Sequence, residues 1–175
     1  MRRKVVSILL IFACFLVQSA LWNLFTFTTV RPNLMLVLVV SFGLMHGSRS
    51  GMLMGFISGL LADMQYGSLF GINALLYMYI GYFIGKAYQV FFDEDIRVAI
   101  GAVAVCDAAY NIIYYVIKLM FGARYSFGAF MIRIMIPELI FTLILTVILY
   151  RLFYLINKKL LETEQEDQES TWLLR

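Results

Sequence analysis

Asp107 and Asn111 stand four residues apart in an apolar stretch, with Tyr110 and Tyr114 on the same helical face. Further along, Arg133, Pro137 and Glu138 interrupt another oily run. A charged carboxylate in the middle of a bilayer costs several kcal/mol, so Asp107 is expected to be protonated, paired or turned to a polar cavity. Two chemistries suit such a set. Asp107, Arg133 and Glu138 could line a pocket for a polar ligand, or pass protons. Alternatively they are buried polar glue between two helices. A proton relay uses several acids in line, and here two acids sit on different helices. Pro137 withdraws a backbone hydrogen bond, leaving a carbonyl that needs another partner.

Other reactive constellations are missing from the sequence. His46 is the single histidine, and no cysteine or carboxylate cluster stands near it at metal-ligand spacing. The chain has no HExxH, no phosphate-cradling GK[ST] loop and no nucleophile elbow. No metal, no cofactor and no enzymatic activity are therefore expected. Cys14 and Cys106 both lie in apolar stretches and read as small apolar residues rather than a disulfide.

The elements that carry these residues follow from composition. The 175 residues are 62% hydrophobic and only 14% charged, against about 25% charged in a soluble domain. Such a chain cannot cover a watery surface, and nucleic acid is not an expected partner. The sequence predicts an all-α integral membrane protein, a compact bundle of six transmembrane helices near residues 5–27, 33–46, 50–63, 72–92, 97–121 and 127–156. The remainder, 157–175, is a mainly acidic tail expected to be disordered or weakly helical. The stretch after Arg2, Arg3 and Lys4 is too long for a signal-peptide core and is expected to stay as a helix.

The second and third helices are a special case. "GLMHGSRSGMLMGFISG" sets Gly43, Gly47, Gly51, Gly55 and Gly59 four residues apart around the polar HGSRS. A single helix from Pro32 to Met64 would be about 50 Å long and would strand Arg49 mid-bilayer. A hairpin turning at HGSRS avoids both, with Pro32 opening the first arm and Asp63 closing the second. Glycines four apart let helix backbones approach closely. Packing within the chain is the first expectation, and docking of a partner helix the second. After Asp63, Gly67 and Gly71 imply a tight loop before Asn73 begins or caps the next helix.

Charge orients the bundle. With the N-terminus cytoplasmic, the inside receives Arg2, Arg3, Lys4, Arg49, Lys86, Arg97, Arg151, Lys158, Lys159 and Arg175, while Arg31, Lys118, Arg124 and Arg133 stay outward. Ten against four predicts both termini in the cytoplasm.

The stretch from Arg31 to Lys86 resembles the core of the rod shape-determining MreD family: a Pro-led apolar helix, a glycine-spaced hairpin, GxxxGLxxD, a GxxxG loop and an aliphatic helix with a late glycine. "RIMIPELIF", with Arg133 and Pro137, is similar to the Arg/Pro region of that family's last helix. Glu138 and the acidic tail depart from the pattern. The resemblance implies family-motif roles for Pro32, Asp63, Gly67, Gly71, Arg133 and Pro137. It further implies a non-enzymatic scaffold of the bacterial cell-elongation complex, which builds side-wall peptidoglycan in the cytoplasmic membrane. Partners implied are an MreC-like single-pass protein, the actin-like MreB filament, a RodA-type glycosyltransferase with its transpeptidase, and membrane lipid. The family is also similar in fold to the S components of energy-coupling-factor transporters, so the alternative is a solute-binding subunit of that kind.

Overall fold

The computed structural model describes residues 2–24, 32–66, 70–87, 96–122 and 126–173. Every regular element among them is helical: α1 (Arg2–Leu24), α2 (Leu34–His46), α3 (Ser48–Tyr66), α4 (Ile72–Ala87) and α5 (Ile96–Met120), then a last run. That run joins α6 (Phe127–Phe130), a π-helical turn (Met131–Met135) and α7 (Ile136–Leu173). Ile96–Met120 and Phe127–Ile156, with 25 and 30 residues, are long and apolar enough to cross a membrane. Val6–Leu21 and Leu34–His46 are apolar but shorter.

The short α2 is the axis of the fold. Its residues are apolar on every side, and a helix of that kind is stable only when enclosed. Leu34 through Gly43 are all buried, with α1, α3, α4, α5 and α7 packed around them. Thr142 of α7 meets the start of α2 at Asn33. Phe153, about three turns on, meets Phe42 edge-on at 6.0 Å, and Phe42 in turn stacks on His46 at 5.1 Å. The two helices therefore run side by side in the same direction.

Several boundaries differ from the sequence expectation. The turn between α2 and α3 is Gly47 alone, with φ of 80°, so α3 begins at Ser48 and takes in most of the polar HGSRS stretch. A left-handed backbone at one glycine is enough to reverse the chain. Pro32 precedes the cap residue Asn33 and is not a first-turn residue. α3 continues past Asp63 to Tyr66. The segments 25–31 and 88–95, and with them Arg31 and the expected ends of the first and fourth helices, lie outside the described residues, as do Gly67 and Arg124. α7 runs on through the acidic segment to Leu173. That segment has no glycine or proline and is rich in Leu, Glu, Gln and Lys, all good helix formers, so nothing in it stops the helix.

Pro137 explains the π turn. It has no N–H to offer the Arg133 carbonyl, and just before it the N–H of Ile136 reaches back five residues to Met131. The ladder absorbs the defect by widening over Met131–Met135. The hydrogen bond lost at Pro137 is thus accommodated by one extra residue in the turn ahead of it.

Candidate functional site

The buried polar side chains gather where α2 begins. Asn33 caps it: its Oδ1 accepts from the Leu36 N–H at 3.2 Å and from the Tyr77 hydroxyl of α4 at 2.7 Å. The Asn33 N–H donates to Thr142 Oγ1 of α7 at 3.2 Å, and the Met35 N–H donates to Gln18 Oε1 of α1 at 3.0 Å. A helix that starts inside a bundle leaves unpaired N–H groups far from water, each costly unless satisfied. Here the cap Asn33 and two other helices, α1 through Gln18 and α7 through Thr142, supply the acceptors. Tyr77→Phe removes one of the two donors on Asn33 Oδ1 but leaves the cap, so a loss of about 1–2 kcal/mol is expected. Unfolding of the purified protein by denaturing detergent measures it.

Asp63 does the same for α4. Its carboxylate accepts from the N–H groups of Gly71 (3.0 Å), Asn73 (3.1 Å) and Ala74 (2.9 Å), while remaining 3% exposed. The sequence suggested a turn residue closing α3. Instead the carboxylate caps the next helix from outside it, and negative charge at a helix N-terminus is favourable. Gly71, at φ of 98°, makes the bend that brings those N–H groups round. Asn73 is not the cap; its Oδ1 accepts from the Tyr110 hydroxyl of α5 at 2.8 Å.

Tyr77 and Tyr110 lie 5.4 Å apart between ring centres, and Tyr110 stacks on Tyr114 at 5.7 Å. Asp107 lies on the same buried face of α5, 0% exposed, and among the described residues neither carboxyl oxygen has a hydrogen-bond partner. Asn111 shares that face as expected, but its amide donates to the Asp107 backbone carbonyl at 3.0 Å and not to the carboxyl. Glu138 is half-buried within electrostatic reach of Tyr77 and Tyr110. Arg133 is not part of this group. It is exposed on the π turn, whereas Asp107 is enclosed and Glu138 half-buried. Cys14 and Cys106 are buried free thiols.

The glycine ridge faces α4. A Cβ added to Gly51 would strike the Gly81 carbonyl, at Gly55 the Tyr77 carbonyl, and at Gly59 the backbone of Asn73 and Ala74. From the other side, a Cβ on Gly85 would strike the backbone of Ser48, and one on Gly43 would stand 3.3 Å from the Gly81 carbonyl. The hairpin therefore closes on α4 by backbone contact, which is the packing within the chain that the glycine spacing led one to expect first.

Sequence reasoning passed over Gly81 and Gly85 as members of the ridge, although "GYFIG" repeats the four-residue step. It also passed over Gln18, Asn33, Tyr77 and Thr142. Only Asn33, next to Pro32 before an apolar run, carried a local signal, that of a helix cap.

Comparison with known proteins places this geometry in context. The sequence profile of the family described as "rod shape-determining protein MreD" matches residues 1–160. The rod shape-determining protein MreD of Bacillus subtilis (strain 168) is 25% identical over 139 residues, covering 77% of this chain and 80% of that protein. No solved structure matches, so the likeness to transporter S components gains no support.

Proposed function

Because the chain belongs to the MreD family of rod shape-determining proteins, we infer that it is a non-enzymatic membrane scaffold of the bacterial elongation complex. In this reading it spans the cytoplasmic membrane several times with both termini inside, and it holds an MreC-like single-pass protein beside the peptidoglycan-building enzymes. The observation that carries the reading is the family match along residues 1–160. The interior is consistent with it. Asn33, Gln18 and Asp63 are engaged in capping helices, which suits a rigid body that positions others more than a site that turns substrate over. With the glycine ridge occupied by α4, partners meet the bundle on its outward faces.

The reading is tested by affinity purification of the tagged full chain from membranes in a mild detergent, with an MreC-like protein co-expressed. The expected result is recovery of the two in comparable molar amounts. Recovery of a folded, monodisperse chain alone would refute the scaffold role.

A further inference from the structure

We propose that Arg133, with the open turn preceding it, binds the phosphate of an anionic membrane phospholipid. Arg133 is exposed on the π turn, and among the described residues its guanidinium makes no hydrogen bond, ion pair or ring contact. The nearest acid on the same run, Glu138, is half-buried within electrostatic reach of Tyr77 and Tyr110. A guanidinium inside a membrane span with no protein partner must be satisfied by something else, since its five donors cannot be left in hydrocarbon.

Depth selects the partner. The apolar run Phe127–Ile156 has 30 residues, about 45 Å, which matches a bilayer including its headgroup layers. Arg133 comes six residues after Phe127, so its Cα lies about 9 Å inside that end. Long helical side chains lean toward the N-terminus of their helix, over the preceding turn, and that lean lifts the guanidinium to the headgroup level. The preceding turn leaves room for it. Gly128 has nothing within 4 Å of where a Cβ would stand, and Ala129 beside it is small and exposed.

The surroundings suit a lipid. Phe127, Ile132 and Ile136 are exposed around Arg133 and offer an apolar bed for acyl chains. A planar guanidinium pairs two N–H groups with two phosphate oxygens, a geometry that an ammonium cannot reproduce. Pro137 enters here as a positioning residue, because the π turn it imposes sets the direction in which residue 133 projects.

Native mass spectrometry of the full chain in detergent, titrated with phosphatidylglycerol or with phosphatidylcholine of the same acyl chains, reads the site. The first equivalent of phosphatidylglycerol is expected to bind about fivefold more weakly to Arg133→Gln, with Arg133→Lys in between and phosphatidylcholine little changed. Excess inorganic phosphate should not displace the lipid, because the acyl chains contribute to its binding. Equal lipid retention by the wild type and Arg133→Gln would overturn the proposal, as would displacement by free phosphate. A variant that keeps its lipid but loses a co-purifying protein would overturn it too, by assigning the guanidinium to a protein carboxylate. If Arg133→Gln fails to fold, Gly128→Leu decides: it crowds the turn without touching the charge and should weaken lipid retention likewise, and undiminished retention would exclude the site.

Discussion

Replacing Gly55 with leucine is expected to prevent the folded chain from accumulating in membranes. At this position α3 and α4 touch backbone to backbone, and a Cβ would run into the Tyr77 carbonyl and the Met78 Cα. Overpacking a core commonly costs about 1–3 kcal/mol even where side chains can yield. Here the obstruction is main chain, which can give way only by parting the helices. Parting them breaks more than one contact, because Tyr77 also donates to Asn33 at the start of α2. The loss should therefore reach the upper end of that range or beyond. Gly101→Leu supplies the control. Nothing lies within 4 Å of its added Cβ, so a change within about 0.5 kcal/mol is expected. Size-exclusion profiles and thermal unfolding of fluorescently tagged variants measure both. A well-folded Gly55→Leu protein would mean that the α3–α4 contact is not a determinant of the fold.

Asp63→Ala should be the most damaging substitution of a polar residue. Three N–H groups at the start of α4 lose their acceptor together, in a position where Asp63 is almost wholly enclosed. Loss of a cap costs up to about 2 kcal/mol, and a buried donor left without a partner about 1–3 kcal/mol more. A total of about 2–4 kcal/mol follows, allowing for water reaching some of the freed groups. Asp63→Asn keeps the shape and one acceptor oxygen and should fall between alanine and the wild type. Equilibrium unfolding in denaturing detergent ranks the three. An order with asparagine no better than alanine would place the stabilisation in the negative charge and not in the hydrogen bonds.

Much of the architecture was legible before any coordinates. Long apolar runs announced helices, since a membrane admits few other ways to satisfy a backbone. Pro32 to Met64 had to fold back, because one helix of that length would have stranded Arg49. The four-residue glycine step announced a close approach, though not the helix that would make it. That partner proved to be α4, whose Gly81 and Gly85 complete the contact. Spacing along one helix cannot say which neighbour will be brought opposite it.

The polar residues divide in the same way. The sequence alone determined that Asp107 and Asn111 share a helical face, that a glycine must turn the chain between the second and third helices, and that Pro137 must disturb its helix. These consequences are local, set by 3.6 residues per turn and by a missing N–H. Only the tertiary structure decided that Asp63 caps α4 across a loop, that Asn33 draws donors from α2 and α4 together, and that Arg133 stands outside while Asp107 is enclosed. Each depends on where a distant element lands. Gln18, Tyr77 and Thr142 lie far apart in the chain, yet all converge where the buried N–H groups at the start of α2 and its cap have to be satisfied.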